Sequence, residues 1–383
     1  MNFCPNCGAK TTPGTNFCMS CGYCLTPAAG PAPDNRNVFE KVTDTLGKMS
    51  GVDGKVELRL RDLFSDVFKK HSTEEAEAIF ISGTALTTPP EDTIATSWPK
   101  PWLYTRTLLM FLTSFILLYI CTFEFENINA LPGLIMIGSL MVPFSFVLFF
   151  MELNVPRNIS FYTIVKVFCV GGCASLVVTL FLFQLFPTGE LDYAGAILTG
   201  VIEEIGKLVI IAVILFRMPK MKYMLNGLLL GAVVGAGFAA FESAGYAFRN
   251  ALTYGVDKMM DVIILRAFLS PGGHVAWAAI TGAALMLVKQ DQPLQMEHFK
   301  SKTFYSYFAI PVILHAIWDM PIELGSSIYL VQIILTVAAW IVILVLVNVG
   351  LNQIANNLFS KRMAPQPGSY GYSDPVQQPN HLQ

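Results

Sequence analysis

Residues 194–216 read AGAILTGVIEEIGKLVIIAVILF, a run in which Glu203, Glu204 and Lys207 are the only charged side chains. As a helix rising about 1.5 Å per residue it is long enough to cross a hydrocarbon core about 30 Å thick. A charge at bilayer depth costs on the order of 2.5–3.5 kcal/mol by insertion scales, so adjacent intramembrane carboxylates mark a place where something is bound or reacted.

Composition agrees with a membrane fold. Hydrophobic residues make up 54% of the 383-residue chain and charged residues 14%, with a mean hydropathy of +0.53, against about 45–50% and about 25% in soluble domains. Apolar runs predict eight spans, near 103–123, 131–151, 161–186, 194–216, 226–248, 272–288, 304–322 and 327–350. The sixth is the shortest, and DVIILRAFLSP before Gly272 and Gly273 reads as a re-entrant or interfacial piece. The expected fold class is all-α: a polytopic transmembrane helix bundle of about eight spans with a small N-terminal zinc ribbon.

Basic residues are retained on the cytoplasmic side. With the N-terminus inside, the inner loops carry Arg157, then Arg217, Lys220 and Lys222, then Lys289, Lys300 and Lys302, and finally Lys361 and Arg362, while FEFENINA, PTGELDY and MPIELGS face outward. Segment 249–271 breaks the pattern with Arg249, Lys258 and Arg266. The expectation is a multi-pass cell-membrane protein with both termini cytoplasmic.

At the start, CPNCGAKTTPGTNFCMSCG sets Cys4 and Cys7 against Cys18 and Cys21, two CxxC knuckles each followed by Gly. Four such thiolates complete the tetrahedral shell of a structural zinc, a closed site with no catalytic position. Disulfides are the alternative, disfavoured because signal-peptide features are missing and this end is expected in the cytoplasm. Cys24 is a spare thiol; Cys121, Cys169 and Cys173 fall in spans as small packing residues. The domain reading is ribbon 1–25, Pro/Ala/Gly linker 26–37, cytoplasmic helical segment 38–100, transmembrane domain 101–351 and disordered tail 364–383. Within 38–100, VELRLRDLFSDVFKK puts Leu60, Phe64, Val67 and Phe68 on one helical face. Ser72 and Glu75 form a capping-box pattern ahead of TEEAEAIFI.

The other intramembrane polar residues fall in register. Lys207 lies three and four residues from the two carboxylates; Phe238, Glu242 and Tyr246 recur every four; His274 opens the sixth span; His315 and Asp319 sit one turn apart in the seventh. At about 1.5 Å per residue, Glu203 lies roughly 14 Å, Glu242 roughly 9 Å, His315 roughly 10 Å and His274 roughly 3 Å from the outer ends of their spans. Such convergence across alternating helices predicts one site. Glu, Asp and His are zinc donors, a catalytic zinc keeps a position open for water, and a nearby Glu can take the proton. The matching chemistry is hydrolysis of a carbonyl compound, most naturally a peptide bond.

EEIGK resembles the EExxK motif, FAAFESAGY the FxxxExxxY motif and HAIWD the HxxxD motif of PrsW-type intramembrane proteases, relatives of the CAAX-processing membrane proteases, and RAFLSPGGHVAWAAITG is similar to the remaining His block. All four stand in order across about residues 190–320. The resemblance implies a membrane-embedded, zinc-dependent endopeptidase that cuts single-span membrane proteins, such as anti-sigma factors. It implies essential roles for Glu203, Glu204 and His315, with one Glu activating water, and ligand or supporting roles for Glu242, His274 and Asp319. Lys207 completes the site, and the expected catalytic zinc ligands are Glu242, His274 and His315. The ribbon and the segment up to about residue 100 depart from the family core; the expected partners are single-span membrane proteins, the lipid bilayer and a cytoplasmic partner of the ribbon, and nucleic acid is not expected.

Simpler roles stand beside these. The glutamates could form an ion pair with Lys207 for helix association, Glu242 could bond Tyr246, His274 could be a solvated end residue, and Asp319 could orient His315. Gly227, Gly231 and Gly235 form a small-residue stripe suited to close helix packing. His71, His298 and His381 carry no signal. A proton or metal-ion transporter, or an inactive receptor using the ribbon to recruit a partner, are the rival functions; no inverted repeat is evident, and the polar groups cluster toward one side.

Overall fold

The structure, a computed structural model, describes residues 2–3, 10–11, 60–322 and 329–363. The chain forms two compact units, Met1–Thr45 and Leu46–Gln383. In the first, β1 (Asn2–Phe3) pairs antiparallel with β2 (Lys10–Thr11); Cys4, Cys7, Cys18, Cys21, the linker and the tail lie outside the described residues.

The second unit is helical: α1 (Thr73–Phe80), α2 (Leu103–Tyr119), α3 (Leu131–Leu153), α4 (Phe161–Leu185, with a π turn at Val167–Gly171), α5 (Tyr193–Arg217), α6 (Met224–Tyr254), α7 (Val256–Leu269), α8 (His274–Lys289), α9 (Lys302–Asp319) and α10 (Leu330–Met363). Six helical stretches, including α7 and α8 taken together, are long and apolar enough to cross a membrane. Helices α5 and α9 fall short of that standard, and they are the two that carry Glu203, Glu204, Lys207, His315 and Asp319. The apolar signal is weakest where the polar site is built.

The stretch before the sixth span is helical and leads into it through a short turn. Helix α7, a short 3-10 turn at Ser270–Gly272 and α8 run as one broken helix antiparallel to α6. The pairing is seen in the glycine stripe: a Cβ on Gly227, Gly231 or Gly235 would lie 2.3, 2.0 or 2.2 Å from the backbone oxygens of Gly282, Ala278 and His274. Further along, Arg266 reaches Ser243. Helix α10 buttresses the break, where Trp340 Nε1 donates to Pro271 O (3.0 Å) and Thr336 fills the space that a Gly272 side chain would need.

The segment before the membrane domain packs on one end of the bundle. The capping box forms as the sequence indicates: the Glu75 amide donates to Ser72 Oγ and the Ser72 amide to Glu75 Oε2. The expected amphipathic helix through Phe68 does not. Leu60–Phe64 is a 3-10 turn followed by further turns, and Phe68 is 94% exposed. Ser65 bonds the Asp62 carbonyl and the Asp66 carboxylate, a local alternative to helical hydrogen bonding. Lys69, hydrogen-bonded to Asp66, holds that carboxyl below its usual range. Leu63, Ile94 and Trp98 join the main core, and His71 stacks on Trp102 with ring centroids 3.8 Å apart.

Glu152, near the end of α3, caps another helix. It accepts from the amides of Trp102, Leu103 and Tyr104 at 2.8, 2.9 and 3.1 Å, at the α2 N-terminus. A carboxylate there satisfies amides that have no intrahelical partner and opposes the helix dipole. Glu152→Ala is expected to lower stability by roughly 2–3 kcal/mol, read as an earlier unfolding midpoint in detergent.

A buried metal-capable cluster at the broken helix

The sequence-derived site residues meet around the break between α7 and α8. Asp192 caps α5 through the Gly195 amide (2.8 Å). Gly200 lets α5 approach α9 so closely that a Cβ there would lie 2.8 Å from Ala316 N. Glu204 therefore meets His315, with Oε1 2.8 Å from Nδ1. The same oxygen accepts from Lys207 Nζ at 2.6 Å, while Glu203 Oε2 stands 4.0 Å from that ammonium. Lys207 is fully buried, with its charge 4.6 Å from the Phe238 ring centre.

An ammonium only donates, so the 2.9 Å contact between Lys207 Nζ and His274 Nδ1 makes that ring nitrogen the acceptor. His274 Nε2 then donates to Glu242 Oε2 at 3.0 Å, and the same oxygen accepts from Arg266 Nη2. A chain of polar contacts thus runs Arg266, Glu242, His274, Lys207, Glu204, His315 across five helices.

Glu203 stands inside this chain. Its Oε2 is 3.6 Å from His315 Nε2 and 3.9 Å from His274 Nδ1, and it is buried with no hydrogen-bond partner. The three residues whose donor atoms all lie within 4.8 Å of one another are Glu203, His274 and His315. Glu242, expected beside the two imidazoles, turns to Arg266 and the far nitrogen of His274. Asp319 lies on the same side as Glu203, with Oδ2 3.4 Å from His315 Nε2. Trp277 stacks on His315 at 4.3 Å between centroids and fixes its ring plane.

Two features suit a divalent cation. Each imidazole is backed by a carboxylate on one nitrogen, Glu242 for His274 and Glu204 for His315, and its other nitrogen faces Glu203; a metal there would take the His274 Nδ1 lone pair that accepts from Lys207 in this structure, and outer carboxylates of this kind orient metal-binding imidazoles. Secondly, four carboxyl groups (Glu203, Glu204, Glu242, Asp319) outnumber the two permanent cations (Lys207, Arg266) in the cluster. Two imidazoles with one or two carboxylates are donors suited to zinc.

The cluster opens into a cavity of about 270 Å³ lined by Glu203, Glu242, Arg266, His274, His315 and Asp319, among others. Glu204 and Lys207 are not in its wall, so the adjacent glutamates differ in place: Glu203 faces the cavity and Glu204 ties α5 to α9. Arg266 and Trp277 belong to the site but were not among the residues singled out from sequence. For Arg266 a signal existed, its breach of the charge asymmetry; for Trp277 there was none in an apolar helix.

The fold and site define a polytopic helical membrane protein with a buried Glu–His cluster able to hold a metal. Residues 159–348 match the family model for PrsW family intramembrane metalloproteases, and residues 3–23 match that of a zinc-ribbon domain. Curated relatives include Protease PrsW of Clostridioides difficile (strain 630), 24% identical over 162 residues that make up 41% of this chain and 65% of the relative. Protease PrsW of Oceanobacillus iheyensis is 22% identical over 188 residues, 48% of this chain and 80% of the relative. No solved structure matches the chain significantly. Residues 159–348 of the membrane domain are thus similar to the PrsW family, and the N-terminus is similar to a zinc ribbon.

Proposed function

We propose that the protein is an intramembrane metallopeptidase that hydrolyses peptide bonds of membrane-protein substrates, single-span proteins of the anti-sigma-factor kind among them. The observation that carries this reading is the pair of imidazoles, each backed by a carboxylate and both turned toward the partnerless Glu203 Oε2 beside a cavity. Glu203, His274 and His315 would hold the metal, and Glu242 and Glu204 orient the two rings. Zinc supplies Lewis acidity toward the scissile carbonyl and toward water. Asp319, at the cavity wall with a side chain 24% accessible, is the carboxylate placed to take a proton from water and return it to the leaving amine. Lys207 would hold Glu204 in place through its 2.6 Å bond and would release His274 Nδ1 to the metal. The ribbon cysteines Cys4, Cys7, Cys18 and Cys21 would hold a second, structural zinc, and the ribbon is placed to meet a cytoplasmic partner if both termini lie inside.

Metal analysis of the full chain tests the reading. Wild type is expected to hold one zinc more than the His274→Ala/His315→Ala double variant, and to cleave a single-span reporter that the variant leaves intact. Equal zinc in both proteins removes the metal from the membrane site. Glu242→Gln is expected to weaken zinc affinity about 10–100-fold, the usual effect of losing an outer partner of a ligating His, measured by competition with a chelator.

A further inference from the structure

Arg266 is unused by the chemistry above. On α7 it is gripped from α6 by three groups: Nη2 donates to Glu242 and Nε to Ser243 Oγ (2.7 Å), and the guanidinium carbon lies 4.6 Å from the Tyr246 ring centre. Two of its nitrogens are thereby fixed, and among the described residues Nη1 has no partner. The side chain is 28% accessible and lines the cavity. Tyr246 lines the same wall, and its hydroxyl has no hydrogen-bond partner among the described residues.

The remaining charged groups of that wall are carboxylates, which only accept, and Lys207 is sealed behind it with 0% exposure. Arg266 is thus the one permanent cation, among the described residues, that reaches the cavity. A permanent charge at such a place in a membrane bundle costs free energy.

A membrane segment entering the cavity for cleavage must first lose helical hydrogen bonds around the bond to be cut. Each freed carbonyl then lacks both water and an intrahelical donor, the condition that membrane segments avoid most strongly. A wall donor held in advance meets that need, and a rigid guanidinium fork loses little freedom in doing so. A neutral carbonyl also suits the place better than a carboxylate, because three acidic side chains, Glu203, Glu242 and Asp319, line the same cavity.

We propose that Arg266, with the Tyr246 hydroxyl, forms a subsite that binds backbone carbonyl oxygens of an unwound membrane segment. The identity of the ligand rests on the peptidase reading. The test is equilibrium binding by the full chain in detergent, so that it does not depend on cleavage. Three labelled peptides are compared: a continuous Leu/Ala helix, the same helix interrupted by Gly-Pro, and the interrupted helix with one Asp beside the break.

Wild type is expected to bind both interrupted peptides at least tenfold more tightly than the continuous one. Arg266→Ala is expected to lose most of that preference while binding the continuous peptide as before and keeping its zinc; Arg266→Lys should recover only part. No preference in wild type, or a preference that survives in Arg266→Ala, overturns the subsite. Loss confined to the Asp peptide replaces it with recognition of an acidic side chain. Loss of zinc in Arg266→Ala assigns the residue to holding Glu242 instead. Failure of the peptidase reading would show separately, as binding without cleavage of any of the three.

Discussion

Glu203→Gln is expected to lower cleavage by roughly 10²–10⁴-fold with the protein still folded, whereas Glu204→Gln is expected to damage the fold first. The two side chains are neighbours in sequence with opposite surroundings. Glu203 lines the cavity and its Oε2 has no hydrogen-bond partner, so under the proposed function an amide there would remove a ligand and a charge without breaking a structural bond. Glu204 is 0% exposed and shares Oε1 between Lys207 and His315. Removing its charge leaves a buried ammonium short of its counter-ion, a change that costs about 3–5 kcal/mol. Thermal unfolding and cleavage measured on both variants separate the roles: equal stability with equal loss of cleavage would refute the distinction.

Gly231→Leu is expected to prevent assembly of the bundle. A Cβ at Gly231 would stand 2.0 Å from the Ala278 carbonyl oxygen and 2.8 Å from its carbon. Backbone cannot swing aside as a side chain can, so α6 and α8 must separate, and His274 at the start of α8 leaves Glu242 with them. The loss should exceed about 4–5 kcal/mol, the range reserved for such steric failures. Gly245→Ala is the control on the same helix: no heavy atom lies within 4 Å of its Cβ position. The alanine should be neutral or stabilising by about 0.5–1 kcal/mol, since it replaces a flexible residue in a helix. Unfolding midpoints of the two variants check both statements.

Much of this was legible before any coordinates. The apolar runs located the long helices, because a bilayer imposes a minimum length of apolar residues. The spacing of Phe238, Glu242 and Tyr246 and of His315 and Asp319 located their shared faces, because helical periodicity is local. The small-residue stripe at Gly227, Gly231 and Gly235 was readable as a contact surface for the same reason. Less was readable in 60–70, where apolar spacing alone favoured a helix and the backbone forms a 3-10 turn and further turns with side-chain bonds from Ser65.

By itself, then, the sequence determined that the chain is a membrane helix bundle and which polar residues fall on shared helical faces within it. Only the tertiary structure decided which of two adjacent glutamates faces the cavity, that Glu203 and not Glu242 converges with the two imidazoles, and that Arg266 belongs to the site. Those outcomes turn on close approaches between helices far apart in the chain, at Gly200 with Ala316 and Gly231 with Ala278. Periodicity fixes a residue's face within its own helix and carries no information about the rotation or distance of the helix opposite.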